Sequence, residues 1–439
     1  MHPKALLDAC TELTRLVLAF QHPADSVVSQ FFRDQRKALA LGTRERAVLA
    51  ETAYHVLRQK LRFEHLAKSG TGPRERRLAI LGWASHVDAQ ARATQGDGHR
   101  GDRGFIHSAL NDTERQWLTD CDAVSPDDLL APHRHNLPEW LAQPLQQQLG
   151  DGFWDMVQSM QQPAGLDLRV NTFKAKRAEV LAALQTQGTQ AWATPFSPWG
   201  VRLEDKPNIS PWPMFQQGWI EVQDEGSQLL AGLVDAKRGE MVADFCAGAG
   251  GKTLALGAAM RNTGRLYAFD TSAHRLDALK PRLARSGLSN VHPVVIAHER
   301  DERIKRLRGK IDRVLVDAPC SGLGTLRRNP DLKWRQTPQS VEELMAKQAA
   351  ILAAAARLLK PGGRLVYATC SVLSQENEDQ AALFEQAHPG FKRLPVQALL
   401  DGLSVPNAGR LCTADGLFLR LWPHLHGTDG FFAAVWQCP

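Results

Sequence analysis

Two cysteines stand where a chain can use a thiol. Cys320 closes the run Val314-Leu315-Val316-Asp317-Ala318-Pro319-Cys320-Ser321-Gly322, and Cys370 closes Leu365-Val366-Tyr367-Ala368-Thr369-Cys370-Ser371, 50 residues later. A lone cysteine in such a place is ordinarily a small buried apolar residue. Two of them, each ending an apolar run in a turn, ask for a chemical reason. Zinc is a poor one, because two thiols without a third or fourth Cys or His nearby do not complete a tetrahedral site; no metal site is expected. Methyl transfer to carbon 5 of a pyrimidine is a better one. A thiolate that adds to carbon 6 turns carbon 5 into an enamine-like nucleophile. After methylation the carbon 5 proton leaves and the thiol is expelled, a task for a group that attacks and departs well. A second cysteine can assist release. Asp317 can hydrogen-bond the cytosine edge and stabilise charge that develops during addition. The residues alone do not order the two cysteines.

The second constellation is Asp244-Phe245-Cys246-Ala247-Gly248-Ala249-Gly250-Gly251-Lys252-Thr253, which follows an apolar strand and opens a helix. Glycines here let the backbone approach a ligand closely and adopt positive φ. A P-loop needs glycine at position 246, which is cysteine, and a dinucleotide loop needs glycine at 253, which is threonine. A ligand without a pyrophosphate remains, and S-adenosylmethionine fits. Asp270 ends the next strand, where a carboxylate can accept both ribose hydroxyls. It also precedes a helix, where Asp270-Thr271-Ser272 could simply cap. The upstream glycine loop favours the functional reading.

These residues need strand ends to hold them. Apolar runs MVADFC, RLYAFD, VHPVVI, DRVLVDA and RLVYATC alternate with helical stretches from about residue 236, most clearly SVEELMAKQAAILAAAARLL. Such βαβ alternation predicts a doubly wound parallel sheet with ligands beyond its C-terminal strand ends. LFLRLWP and FFAAVWQ add antiparallel edge strands. Between about 165 and 223, LDLRVN, WGVRLED and GWIEVQDEG predict a small sheet. Its tryptophans, Trp192, Trp199, Trp212 and Trp219, fill a small core in the favoured reading and stack on bases in the other. The first third reads as helix, with Leu6, Leu7, Leu13, Leu16, Val17 and Phe20 at helical spacing, and Val48, Leu49, Ala53, Tyr54, Val56 and Leu57 likewise. Arg33, Arg36, Lys37, Arg44, Arg46, Arg58, Lys60 and Arg62 decorate these helices. A break at 69–77, a short helix around Leu78–His86, a flexible loop at 95–104 and a proline-marked linker to about 135 follow. The expected domains are 1–135, 136–235 and 236–439.

The chain has 439 residues and a net charge of +6, which permits a polyanionic partner without proving one. At 43% hydrophobic and 23% charged it is not a disordered chain. The seven cysteines form no C-x-x-C pair, and no apolar run is long enough to span a membrane. The N-terminus lacks a signal peptide's apolar stretch, so a reducing, cytoplasmic home is expected.

Together, DFCAGAGGKT, DAPCSGLGTLRRNPDLKW, LVYATCSVLSQENE, LRVNTFK at 168–174, VQDEGSQL at 222–229 and DGFF at 429–432 resemble the RsmB/Sun-type RNA (cytosine-5) methyltransferases. The resemblance covers most of residues 135–439. LALGTRERAVLAETAYHVLRQKLRFEHL more loosely resembles the NusB-like RNA-binding domain of the small-subunit ribosomal RNA members. The implied fold is α/β: a Rossmann-like methyltransferase sheet, preceded by a small α/β RNA-binding subdomain and an all-helical NusB-like RNA-binding domain. The resemblance implies that Cys370 is the nucleophile and that Cys320 promotes product release. It implies that Cys246, Ala247, Gly248, Ala249, Gly250, Gly251 and Lys252 hold S-adenosylmethionine, with Asp270 on its ribose, Asp317 near methyl donor and cytosine, and Lys252 lining the same site. Arg169 and Asn171 in LRVNTFK, and Arg327, Arg328 and Lys333 beside the Pro-Cys loop, are expected to contact RNA. The basic run 299–310 reads instead as a solvated helix face. The chain departs from the family pattern at Gly248-Ala249, where Ala-Pro is usual, and at His298, where an acid usually meets the adenine; Glu299 or a backbone contact could substitute. The expected activity is cytosine-5 methylation of structured RNA, foremost 16S ribosomal RNA, by a monomer. Transfer RNA as substrate, or a non-catalytic RNA-binding assembly factor, are the alternatives.

Overall fold

The computed structural model describes residues 1–36, 41–95 and 101–439, so Lys37 and the middle of the expected loop at 95–104 lie outside the described residues. The chain forms two compact units: residues 1–162 with 326–337, and residues 163–325 with 338–439.

The first unit is helical. Helices Pro3–Val17, Thr43–Arg58 and Arg74–Gln95 bury Leu6, Leu7, Leu13, Leu49, Val56, Leu57, Leu78, Ile80 and Trp83 in one apolar core. Gly82 allows close approach: a Cβ there would lie 2.7 Å from the Thr52 carbonyl. The helix expected around Leu78–His86 extends over 22 residues. The expected linker is instead helical, through Asp112–Ala123 and Ala131–His135, and the helices Glu139–Leu149 and Phe153–Met160 carry the helical unit on to residue 162, past the expected boundary at 135. Asn111 and Glu114 form a capping box at the first of these. Pro132 and Pro138 mark helix starts, where a missing N–H removes no helical bond.

Residues Leu326–Thr337 belong to this unit by their hydrogen bonds. Lys333 Nζ donates to the Arg58 carbonyl (2.9 Å), Trp334 Nε1 to the Leu57 carbonyl (2.8 Å) and Arg58 Nη2 to the Arg327 carbonyl (3.2 Å). Asp331 accepts from the Ala24 N–H. Arg58, read from sequence as a surface base, and Lys333, read as an RNA contact, are both buried. Burial, then the neighbouring Arg58 and Lys60, brings Lys333 down to about 7. Glu51, His55 and His86 also gather within 4.8 Å in this unit. Arg58 lies 3.7 Å from Glu51, and burial lowers both imidazoles' pKa values, so a neutral histidine pair beside an ion pair accounts for the cluster.

The second unit holds two sheets. Strands β1 (Leu166–Val170), β2 (Ala191–Ala193), β3 (Gly200–Leu203) and β4 (Ile220–Val222) form an antiparallel sheet in the order β2-β3-β1-β4. Trp212 and Trp219 pack against its core, whereas Trp192 is 47% exposed. The larger sheet contains β5 (Met241–Asp244), β6 (Arg265–Asp270), β7 (Val291–Val295), β8 (Ile311–Asp317), β9 (Leu359–Thr369), β10 (Lys392–Arg393), β11 (Leu419–Leu421) and β12 (Phe431–Gln437). Its order is β10-β12-β9-β8-β5-β6-β7, with β11 also on β12. The pairs from β9 through β7 are parallel, and β12 is antiparallel to β9. Alternate residues enter two cores: Val242, Leu315 and Val366 one, Ala243, Val314 and Tyr367 the other. Burial on both faces explains the near-continuous apolar runs. FFAAVWQ is therefore an interior strand and not an edge, since β12 lies between β9 and β10. The run 299–310 forms only the one-turn helix Glu302–Lys305.

A lysine whose folded pKa lies below its unfolded value near 10.5 binds fewer protons folded than unfolded, so stability rises with pH between the two values. The stability of the protein is expected to rise from about pH 7 towards pH 10 through Lys333. Lys333→Met should raise the melting temperature at pH 7 and flatten that rise, read by thermal unfolding across the pH range.

Candidate active site

The parallel register sets Asp317 opposite Ala368, so β8 and β9 end side by side. The turns beyond them bring the Cys320 and Cys370 sulfurs to 3.4 Å. Both thiols are free and partly exposed. The hydrogen bond to Cys370, followed by burial and the charge of Cys370, holds the Cys320 pKa well above the ordinary thiol value. Burial pushes Cys10 and Cys412 to about 12 and Cys121 to about 11. Cys246 is likewise driven well up by burial and by Asp244, Asp317 and Asp270.

Lys252 reaches the same edge from the helix Gly251–Ala259, and its Nζ donates to Asp317 Oδ2 at 2.7 Å. Burial opposes its charge, but Asp317 and the charge of Cys370 prevail and raise its pKa. The Asp317 side chain keeps 30% exposure and can meet a ligand while paired. Behind it, burial raises Asp244 to about 7, although Thr253 Oγ1 donates to it at 2.7 Å.

The glycine loop is pinned rather than loose. Gly248 has φ +56° with open space where a Cβ would stand, and its N–H donates to Asp270 Oδ2 (2.8 Å). Gly250, at φ +83°, has no room for a Cβ, which would lie 2.2 Å from Leu279 Cδ1. The other Asp270 oxygen accepts from the N–H of Ser272, whose hydroxyl in turn caps the helix Ala273–Ser286 by accepting the Arg275 N–H. Arg282 Nη1 donates to the Ala249 carbonyl and Arg169 Nη1 to that of Gly251, each at 2.6 Å. The open space at Gly248, the closely approachable loop backbone and the acid at the β6 tip fit the adenosyl and sulfonium parts of S-adenosylmethionine.

Arg169 and Asn171 are thus structural in this fold. Arg169 is 3% exposed, and burial lowers its pKa to about 10. Asn171 Nδ2 donates to the Gly218 and Ser286 carbonyls. Neither has a face for phosphate. Lys333 is buried as described above, while Arg327 and Arg328 are half-buried in the helical unit. His298 is exposed, its Nδ1 accepting the Arg300 N–H, and Glu299 pairs with Arg300.

One residue that sequence reasoning missed organises the edge. Glu376 is fully buried. Its Oε1 accepts from the Ser321 N–H (2.8 Å) and Gln348 Nε2 (3.0 Å), and its Oε2 from the hydroxyls of Ser321 and Ser371. One carboxylate therefore binds the residue after each cysteine. Gly324 completes the junction, donating to the Cys370 carbonyl and accepting from Gly430 at 2.8 Å each. A Cβ on Gly324 would stand 2.1 Å from the Gly430 oxygen. The only signal in sequence was the position of Glu376 inside LSQENE.

A mostly parallel sheet with a glycine loop after its first strand and an acid at its second strand tip defines a Rossmann-like methyltransferase domain. Residues 231–437 match the family 16S rRNA methyltransferase RsmB/F, and residues 137–210 match the ferredoxin-like domain of RsmF/B-like methyltransferases. The probable ribosomal RNA small subunit methyltransferase B of Synechocystis sp. is 31% identical over 89% of this chain and 90% of its own. That of Bacillus subtilis is 34% identical over 76% and 74%. The crystal structure of PH0851 superposes with a TM-score of 0.77 at 28% identity, covering 99% of both chains. A methyltransferase homolog protein from Pyrococcus horikoshii gives 0.60 at 30% identity, over 72% of this chain and 100% of that one. The chain belongs to the RsmB/F methyltransferase family and is an S-adenosylmethionine-dependent RNA methyltransferase. Among the described residues, no helix is long and apolar enough to cross a membrane.

Removing the Glu376 carboxylate leaves several buried donors without an acceptor, each costing on the order of 1–3 kcal/mol. Glu376→Ala should lose at least about 3 kcal/mol in urea unfolding. It should also depress methyl transfer while S-adenosylmethionine affinity, measured by calorimetry, stays within a few fold.

Proposed function

We propose that the protein methylates carbon 5 of a cytosine in small-subunit ribosomal RNA through a covalent adduct between Cys370 and carbon 6. The observation that carries the reading is the pair of thiols 3.4 Å apart beside the Lys252–Asp317 ion pair. The substrate class is supported by the relatives, which are named small-subunit ribosomal RNA methyltransferases. The NusB-like resemblance of the helical unit's sequence supports an RNA partner; a cytoplasmic monomer is the working form.

When bound, S-adenosylmethionine supplies an electrophilic methyl group on its sulfonium. The Cys370 thiolate adds to carbon 6 and moves the ring electrons to carbon 5, which takes the methyl. Lys252, paired with Asp317, holds a positive charge at the same sheet edge as Cys370. Asp317 accepts a hydrogen bond from the cytosine amino group, the donor of that base edge. Cys320 keeps its proton chiefly because of Cys370. Once Cys370 is bonded to carbon 6 that hold ends; burial and Glu376 alone still favour the thiol, and the Cys320 proton passes to solvent before the thiolate acts as base. As thiolate it takes the carbon 5 proton; the carbon 5–carbon 6 double bond re-forms and Cys370 leaves as thiolate. The target base must leave its stack to reach these groups, so a loop or a remodelled helix is the expected RNA context.

Cys320→Ala should accumulate a denaturation-resistant protein–RNA species, and Cys370→Ala should form none. Exchanged outcomes would reverse the two roles. Bisulfite sequencing of cells lacking the chain should show loss of one protected cytosine in 16S ribosomal RNA; a loss confined to transfer RNA would transfer the reading to that substrate.

A further inference from the structure

The second unit carries a cleft of about 450 Å³ that the methyl-transfer site does not use. It opens where β1 runs into the helix Arg177–Thr186, and Phe173, Lys176, Arg177, Trp199 and Arg261 line it. Phe173 is 38% exposed within this lining, so its ring is available to a ligand. Arg177 gives one N–H to the Ser197 carbonyl (2.8 Å), and Arg261 gives one to the Thr172 carbonyl (2.6 Å). A guanidinium has five donors, so each arginine is fixed in place with donors left over. Lys174 is committed to the carbonyls of Gln217 and Arg285 and acts as a brace. Glu179, the one acid of the lining, is held at the helix start by the Lys176 N–H. The N-terminus of the ten-residue helix adds its own positive end.

Arg261 follows the C-terminal end of Gly251–Ala259, the helix whose N-terminus forms the glycine loop. Nine residues at 1.5 Å each separate the cleft from that loop by about 14 Å. The cleft is therefore not part of the cofactor site. One exposed phenylalanine and a half-buried tryptophan beside fixed cations match the chemistry of a nucleotide, with its base on the Phe173 ring and its phosphate among donors. We infer that this cleft binds a single-stranded nucleotide of the RNA substrate, away from the cytosine that is methylated. The inference rests on the RNA-methylation reading and adds a second point of attachment to it.

Phe173→Ala and Lys176→Ala test it, because neither side chain makes a bond that the fold uses. RNA affinity is measured by anisotropy, over a range of salt, on a small-subunit RNA fragment that the unaltered protein methylates. Phe173→Ala should weaken binding on the order of tenfold. Lys176→Ala should reduce the salt slope of log Kd by about 0.7, the value of one single-strand phosphate contact. S-adenosylmethionine affinity should stay within twofold for both. RNA binding unchanged in both variants would overturn the inference while methylation by the unaltered protein stands. So would adenosine monophosphate binding that both variants lose with RNA affinity intact. Failure of the unaltered protein to methylate any small-subunit RNA fragment would remove the RNA-methylation reading, and this inference with it.

Discussion

Two thiols on different strands can share a proton only if the two strand ends keep a fixed separation. Backbone pairing of β8 with β9 ends at Asp317 and Ala368, before either cysteine. The Glu376 carboxylate spans the remaining gap, with the Ser321 and Ser371 hydroxyls on one oxygen. Gln348, from the helix Pro338–Ala356, ties the same carboxylate to the Pro319 carbonyl's neighbourhood. The cysteines themselves remain partly open, so the rigidity of the site is built one residue behind its reactive atoms. That arrangement holds reacting groups in place without blocking access to them.

The cofactor side follows the same plan with different parts. Arg169 and Arg282 bind loop carbonyls and anchor in the small sheet, Arg282 through Glu221 of β4. Arg285 joins Glu221 from the same helix as Arg282. Glycines at 248 and 250 would leave an isolated loop with many conformations. The arginines remove that freedom from below, so the small sheet is a support of the methyl-donor pocket.

The chemistry was legible because it sits at strand ends, where apolar runs stop and polar residues begin. The glycine loop, Asp270, Asp317 and both cysteines could be placed on one sheet edge from periodicity alone. Glu376 could not, because nothing local distinguishes a glutamate that accepts four buried hydrogen bonds from one on a solvated surface. Arg169 and Asn171, read as RNA contacts within LRVNTFK, turn inward instead, and only tertiary contacts reveal which donors face carbonyls. The N-terminal helices were legible in type, while Pro126, Pro132 and Pro138 concealed their extent. A proline at the start of a helix and one in a linker look alike in sequence.

The path of the chain between units bears on its synthesis. The helical unit contains Met1–Gln162, but its last segment, Leu326–Thr337, is encoded far downstream. Leu57, Arg58 and Ala24 then wait for partners that have not been translated. At about 5–20 residues per second, residue 337 follows residue 162 by roughly 10–35 s. During that interval the nascent helices present an unfilled seat for Lys333 and Trp334, within reach of any chaperone at the ribosome. An N-terminal fragment ending near residue 162 would keep that seat empty for good, so the gene has no clean place to be cut between its two folded parts.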